Sequence, residues 1–426
     1  NRTMLMYWWI GEGVLPDKGK PEDAVKEVLA EFTKLNLIEP IENNRKVEPT
    51  SYRMLLFVHS SVLLISKEMG LFDKDQKPAM KQSDLNKVCL VEGSSSLPEA
   101  RPYRMALAVA YDYIADIETV FNVSERFPDF IFNWFSRMKE LKVLYLGTWE
   151  RTEREIEVDS YGLMNDLSSM TKLRFLSFQG ISTIRSISGF ACKLPRLIIL
   201  DLRGCYNLEQ LPDDIHNLKN LVYLDLTGCN ALEGIPMRLS WLDNLEVLKG
   251  FVVTSEREIA CKLSHLKRLP KLRRLCVTVD RTNFGLEDLL KAIDGFRSLE
   301  KLKVLWTTVT SLSKKQPKRL IGPTSNLSLP PTLRKLYLLR FPDRKLPNWL
   351  HPQNLCYLEN LHLGSSRQLK VFSDSLPEMP SECNVKVLRL TCLRSLKVDW
   401  LELKELYFPQ LRFLEVYECP GFSFSP

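Results

Sequence analysis

The stretch LDLRGCYNLEQLP (Leu200–Pro212) returns 24 residues later as LDLTGCNALEGIP (Leu224–Pro236). Leu, Asp, Leu, Gly, Cys, Leu, Glu and Pro recur, while the residues between them change. Fixed and free positions at this spacing mark one turn of a repeat. In x-Leu-x-Leu-x the leucines alternate at period two, so they share one face of a short strand. A single turn cannot bury that face; stacked turns can.

Scanning outward for Leu-x-x-Leu-x-Leu finds the second anchor at Leu144, Leu176, Leu200, Leu224, Leu248, Leu275, Leu302, Leu336, Leu361, Leu388 and Leu414. Most periods are 24 to 27 residues; two are stretched, to 32 before Leu176 and 34 before Leu336. Gly250 stands in the third slot of the Leu245 repeat, where the others carry Leu, Val or Phe. Degenerate copies are expected at Leu85/Val88/Leu90 and near Val120. The period is that of the leucine-rich repeat. It predicts an α/β fold, a right-handed solenoid (horseshoe) with a parallel sheet along one side, over residues 81–426. Cys205, Cys229 and Cys419 each sit five residues after a second anchor. That is the slot where a small residue turns the chain inward and satisfies backbone groups; a catalytic thiol is the sharper and weaker reading. Leu211-Pro212 and Ile235-Pro236 return the chain along the convex side.

The free positions point outward onto the concave face, the surface repeat proteins use to bind. Its candidate partner-binding residues are Tyr145, Asp201, Tyr223, Asp225, Lys249, Arg273, Arg274, Lys301, Lys303, Trp306, Arg334, Lys335, Tyr337, His362, Arg389 and Tyr417. Their order is aromatic first, acidic around Asp201 and Asp225, then basic from Lys249 to Lys335. Tyr, Trp and Arg are enriched at binding hot spots. The competing reading is an ordinary solvated surface. KRLPKLRR (Lys267–Arg274) and KKQPKR (Lys314–Arg319) raise nucleic acid as a partner. The first is interrupted by anchor leucines and the second reads as a loop. A net charge of +7, from 59 Lys and Arg against 52 Asp and Glu, is weak for a nucleic-acid binder.

The 426 residues are 45% hydrophobic, enough for a sizeable core. Ten cysteines without CxxC or zinc-finger spacing, and no signal peptide, point to free thiols in a reducing, cytoplasmic setting. The sequons Asn122-Val-Ser124 and Asn326-Leu-Ser328 then read as chance matches. No run of about eighteen apolar residues crosses a membrane. Gly-x-Ser-x-Gly, His-Glu-x-x-His and the P-loop are absent, so neither an enzyme nor a cofactor is expected. The start at Asn1, directly on an apolar run, reads as a cut inside a larger protein.

Residues 1–80 lack the repeat. Glu22–Ile38 carries Val25, Val28, Leu29, Phe32 and Leu35 at helical spacing after Pro21. A small hairpin is expected from Ile38–Ile41 and Lys46–Glu48 around Asn43-Asn44, then an apolar helix over Arg53–Met69 ending at Gly70. This is a winged-helix order without a recognition helix rich in Arg, Lys or Asn. YWWIGEGVL (Tyr7–Leu15), followed by a helix ending in Leu37-Ile38, resembles the winged-helix subdomain of plant nucleotide-binding leucine-rich-repeat (NLR) disease-resistance receptors of the coiled-coil class. LEVLKGFVV (Leu245–Val253), LPNWL (Leu346–Leu350) and VDWLEL (Val398–Leu403) resemble its RPP-thirteen-like subgroup.

That resemblance implies a small partial winged-helix domain of an NB-ARC module before the repeats. It implies a receptor fragment in plant defence whose repeats recognise a pathogen effector or a guarded host protein. It also implies that the repeats restrain an NLR nucleotide-binding core. The family's coiled coil and P-loop are absent from this sequence, and Leu55 stands where its ADP-sensing His would be. No nucleotide binding is therefore expected. The alternative is a non-immune leucine-rich-repeat scaffold for protein–protein interaction.

Overall fold

Each period-two pair of leucines builds one short strand, and the strands stack in sequence order. The computed structural model describes residues 1–16, 19–41, 49–68, 86–90, 115–123, 137–147, 156, 158, 163, 167–187, 193–253, 260–280, 284–307, 327–372 and 382–424. Its contacts separate into two units, Asn1–Ala231 and Leu232–Pro426.

The first unit opens with α1 (Arg2–Glu12) and α2 (Pro21–Lys34). Asn1 caps α1 by accepting the Thr3 N–H, and Gly13 ends it at φ 77°, donating to the Trp9 and Ile10 carbonyls. Pro21 starts α2 with Glu22 and Asp23 in its first turn, and Val25 and Leu29 form its buried stripe. β1 (Ile38–Pro40) pairs antiparallel with β2 (Tyr52–Met54), and α3 (Leu56–Glu68) follows. The strand partner thus differs from the expected one. Tyr52–Met54 takes the place given to Lys46–Glu48, aided by the Arg53–Glu39 ion pair across the ladder. Arg53 and Met54 consequently belong to the strand, and the helix begins at Leu56. Lys46–Glu48, the Asn43-Asn44 tip, Met69 and Gly70 lie outside the described residues.

Six parallel strands then follow in chain order: β3 (Lys87–Leu90), β4 (Thr119–Asn122), β5 (Val143–Tyr145), β6 (Phe175–Ser177), β7 (Ile199–Asp201) and β8 (Tyr223–Asp225). The degenerate copies are real turns, since Val88 aligns with Val120 and Val120 with Leu144; Leu85 lies outside the described residues. Val120, Leu144, Leu176, Leu200 and Leu224 form one inward column, each at most 1% exposed.

The cysteine slot does what its spacing implied. The Cys205 thiol donates to the Phe178 carbonyl at 3.2 Å, and Cys229 to Leu202 at 3.1 Å. Each rung ties one turn to the one before. Burial raises both thiols, Cys229 to about 12, which holds them protonated and suits donation rather than nucleophilic attack. Past Pro212, the residues Asp213–Asn217 form a short 3-10 turn that buries Ile215.

The second unit carries β9 (Val247–Val253), β10 (Arg274–Val279), α4 (Leu286–Ile293), β11 (Lys301–Trp306), β12 (Lys335–Leu339), β13 (Asn360–Gly364) and β14 (Val387–Thr391). It ends with β15 (Val398–Asp399), β16 (Phe413–Tyr417) and β17 (Phe422–Ser423). β9 to β14 and then β16 form a parallel ladder in order, while β15 pairs with β17 apart from it. Leu248 aligns with Leu275, but Phe251 aligns with Val277, so two residues of β9 face one of β10. Gly250, at φ 77°, is the extra residue of this bulge, and Phe251 fills the slot that Gly250 leaves empty. Ser366 and Cys419 repeat the rung role, donating to Phe341 and Leu390. Lys314–Arg319, Ser124 and Asn326 lie outside the described residues.

Candidate protein-interaction face

In the first unit the strands are only three or four residues long, so two outward columns form the face. One is Thr119, Val143, Phe175, Ile199 and Tyr223; the other is Phe121, Tyr145, Ser177, Asp201 and Asp225. All ten are buried. The cover is α1. Its Tyr7 ring packs edge-on against Phe175 at 5.9 Å and Tyr223 at 5.5 Å, and Trp8 lies 5.4 Å from Phe121. Glu12 accepts from Lys87 Nζ at 2.6 Å, from Thr119 Oγ1 at 3.1 Å and from the Trp8 indole at 2.5 Å. A Cβ on Gly11 would stand 2.6 Å from Val143 Cγ2 and 2.9 Å from Phe175 Cβ. The Tyr-Trp-Trp-Ile-Gly-Glu stretch is therefore a docking sequence: aromatic knobs, a glycine for close approach, and a carboxylate for the rim.

Tyr145, Tyr223, Asp201 and Asp225 are corrected accordingly; they are interior residues and not free concave-face contacts. Period two places them outward as expected, but the surface they reach is occupied. The two aspartates also have local work. Asp201 Oδ1 accepts the Arg203 N–H at 3.2 Å, and Asp225 Oδ1 accepts the Thr227 N–H at 3.1 Å, each closing the turn after its strand. Arg203 adds 2.8 and 2.7 Å bonds to Asp201 and one of 2.7 Å to Gln179, and its Nε lies 3.7 Å from Asp225. Burial alone would lower the guanidinium's affinity for its proton; the hydrogen bonds and charge of Asp201, then the charge of Asp225, reverse that. Burial, then Asp201, raises the Tyr145 phenol.

Gly11→Ala tests the docking. In an unpacked helix this change stabilises by about 0.5–1 kcal/mol. Against Val143 and Phe175 it is expected to destabilise by about 1–3 kcal/mol, as overpacking does. Chemical denaturation reads the sign, and a stabilised variant would remove α1 from the face.

The second unit differs because the strands of its ladder run five to seven residues, leaving three outward columns. The first holds Arg274, Lys301, Lys335, Asn360, Val387 and Phe413, the second Cys276, Lys303, Tyr337, His362, Arg389 and Glu415, and the third Thr278, Leu305, Leu339, Gly364, Thr391 and Tyr417. Lys303 and Lys335 are exposed; Lys249, Arg274, Lys301 and Tyr337 are half-buried. The Lys301 ammonium lies 4.9 Å from the Tyr337 ring centroid. Burial, then the positive charges of Arg274, Lys335 and Lys249, lowers Lys301 to about 8. His362 accepts from or donates to Thr391 Oγ1 at 2.9 Å and is lowered to about 4 by burial, Arg389 and Lys303, so it is neutral at pH 7. Arg389 lies 3.1 Å from Glu415 and over the Phe413 ring.

Three expected face residues belong elsewhere, all for one reason of parity. Trp306 is four residues past Leu302, and Arg273 and Arg334 are two before Leu275 and Leu336; each falls on the anchor side. Trp306 is 1% exposed and donates its indole N–H to Phe284 O at 2.7 Å. Arg273 is 6% exposed with Nε 2.7 Å from Glu246. Arg334 donates to the Pro331 and Tyr357 carbonyls at 2.8 and 3.1 Å. Of the third column the sequence names only Tyr417 and not the half-buried Leu305 and Leu339 beside the cations. Its signal was the longer apolar alternation of LKVLW and LYLL compared with LDL. Among the described residues no group of three or more His, Cys, Asp or Glu is placed to hold a metal. No helix among them is long and apolar enough to cross a membrane.

The leucine-rich repeat region family matches residues 128–425. No curated protein matches the chain in sequence. Similar solved structures include a TLR13–ssRNA13 complex, at 21% identity and TM-score 0.45 over 67% of this chain, which spans 37% of that one. The functional domain of InlJ from Listeria monocytogenes aligns at 13% identity and TM-score 0.40, over 72% of this chain and 58% of that one. The leucine-rich repeat domain of APL1B aligns at 15% identity and TM-score 0.44, over 88% and 94%.

Proposed function

This chain belongs to the leucine-rich repeat region family, and from that premise we propose that it is a protein-binding module of a cytoplasmic plant immune receptor of the NLR type. Its second unit engages an acidic protein surface, either a pathogen effector, a guarded host protein or the receptor's own nucleotide-binding core. The observation that carries the reading is the cation cluster of Lys249, Arg274, Lys301, Lys303 and Lys335 on the outward columns of β9 to β12, bordered by Tyr337, Leu305 and Leu339. Burial and mutual repulsion keep Lys301 below its ordinary pKa, so an incoming carboxylate relieves a cost that the free module bears. The immune setting is supported by the Trp-Ile-Gly-Glu-Gly stretch and by the order α1, α2, β1, β2, α3 ahead of the repeats. A non-immune scaffold has no need of that front end. α1 on the first unit's face is a model for how a neighbouring segment closes a repeat surface, as autoinhibition requires.

Lys303→Glu with Lys335→Glu tests it. Steering by charge acts on association, so the association rate for an acidic partner is expected to fall about tenfold or more at low salt and less as salt rises. Folding should be unaffected, because both side chains are exposed. Co-expression with the nucleotide-binding half of a receptor from this family separates the partners: cell death without pathogen protein in the variant alone identifies an internal partner. Binding unchanged by the reversal at every salt concentration would reduce the cluster to a solvated surface.

The sign of a pH effect follows from Lys301. Its folded pKa, about 8, lies below its ordinary 10.5, so the free protein holds this proton only below about pH 8. An acidic partner favours the protonated form. Affinity is therefore expected to decline as pH rises through about 8, with proton uptake on binding, and Lys301→Met should flatten that profile. Calorimetry in buffers of different ionisation enthalpy measures the uptake directly.

A further inference from the structure

Among the described residues, two pairs of cysteines stand at the same offset in consecutive turns. Cys205 and Cys229 are five residues after their anchors, and Cys356 and Cys383 are five before Leu361 and Leu388. The first pair is buried, and each thiol donates to a backbone carbonyl. The second pair is built differently. Cys356 is exposed, with its Sγ 3.7 Å from the Gln353 carbonyl oxygen, whereas Cys383 is buried. Their turns are held in register. Leu361 pairs with Leu388, and the Glu359 carbonyl accepts the Lys386 and Val387 N–H groups at 2.8 and 3.0 Å. The Asn384 N–H, one residue past Cys383, donates at 3.4 Å to the carbonyl of Leu355, one residue before Cys356. Turns stacked at the strand spacing lie about 4.8 Å apart. That is inside the roughly 4.4–6.8 Å between Cα atoms that a disulfide spans. Rotation about the Cα–Cβ bond of the exposed Cys356 is enough to turn its sulfur towards its neighbour.

We propose that Cys356 and Cys383 are a redox-responsive pair, closed to a disulfide by a small disulfide such as glutathione disulfide and reopened by a thiol, which clamps the turn of β13 to that of β14. The chemistry has an order. Burial, opposed by the Val385 backbone and reinforced by charge on Cys356, pushes the Cys383 thiol up to about 11. Cys383 therefore stays protonated, and the exposed Cys356 meets the oxidant first. Its thiolate attacks one sulfur of glutathione disulfide. The S–S bond of the reagent breaks, a mixed disulfide forms on Cys356, and the first glutathione leaves with the proton that Cys356 gave up. The Cys383 sulfur then attacks Cys356 Sγ and yields its proton to the second departing glutathione. Two protein thiols are oxidised, and one glutathione disulfide is reduced to two glutathiones. Exposure on one side and burial on the other distinguish this pair from Cys205 and Cys229, neither of which meets a reagent from solvent. Transient, redox-sensing bridges are the usual disulfides of a reducing compartment.

Incubation of the folded full chain with glutathione disulfide, followed by peptide mapping under non-reducing conditions, tests the pair. Wild type is expected to yield one peptide pair linked from Cys356 to Cys383 within a single chain, released by dithiothreitol, while Cys205 and Cys229 remain thiols. Cys383→Ser should stop at the mixed disulfide, with one glutathione on Cys356. Cys356→Ser should leave Cys383 a thiol; position 356 is exposed, so this variant is expected to fold as wild type does. The linked chain should also show a higher denaturation midpoint than the reduced one, because the bridge removes freedom from the unfolded chain. Neither variant should gain that shift. Wild type that stops at one glutathione on Cys356 overturns the proposal, as does a link from Cys356 to another cysteine or to a second chain. A linked chain whose midpoint does not rise overturns the clamp.

Discussion

Leu224→Ala is expected to cost about 2–5 kcal/mol of folding stability, the range for a cavity left by a buried leucine. Leu224 is fully buried in the inward column beneath β8, aligned with Leu200 of the adjacent turn. Neighbouring anchors are held by backbone ladders on β7 and cannot close over the void. The loss should appear in the denaturation midpoint without a change in the slope against denaturant, because the surface exposed on unfolding is nearly the same. An unaltered midpoint would mean that the leucine column is not the core of this unit.

Asp201→Ala is expected to cost about 3–5 kcal/mol, as does breaking a buried ion pair by removing one partner. Asp201 is fully buried, and its carboxylate receives the Arg203 side chain, the Arg203 N–H and the Ser177 hydroxyl. Truncation leaves the guanidinium with Asp225 at 3.7 Å and Gln179 at 2.7 Å, in a site that has lost its nearest charge. The measurement decides between two roles for the recurring aspartate. A surface residue awaiting a partner would leave the midpoint within about 0.5 kcal/mol. A structural residue of the turn will not. Asp225→Ala should follow the same direction with a smaller loss, because Thr227 rather than a guanidinium is its main partner.

The architecture was legible from spacing alone. Period-two leucines at 24 to 27 residues demand stacked parallel strands, and the anchors named from sequence align in register from Leu144 to Leu224 in the first unit and from Leu248 to Leu414 in the second. The cysteine slot was equally readable, because a small donor at that offset has one neighbour to satisfy, the carbonyl of the preceding turn. Both are local rules: a residue's position relative to its own anchors fixes its side. Gly250 shows how far they reach. The sequence marked the departure, but only strand pairing reveals the bulge that lets Phe251 take over.

Exposure is not a local property, and there the reading diverged. Whether Tyr223 and the Phe121, Tyr145 and Phe175 rings meet solvent depends on α1, which lies more than a hundred residues away in sequence; its glycine at Gly11 brings the helix within contact of Val143 and Phe175, whereas Asp201 and Asp225 are enclosed by Arg203 and Thr227 of their own turns. Trp306, Arg273 and Arg334 were misplaced by a smaller error, that of extending or shortening a strand without counting parity. Periodicity determined which side of each strand a residue occupies. Tertiary packing decided which outward residues remain a surface, because burial is set by what another part of the chain brings against them.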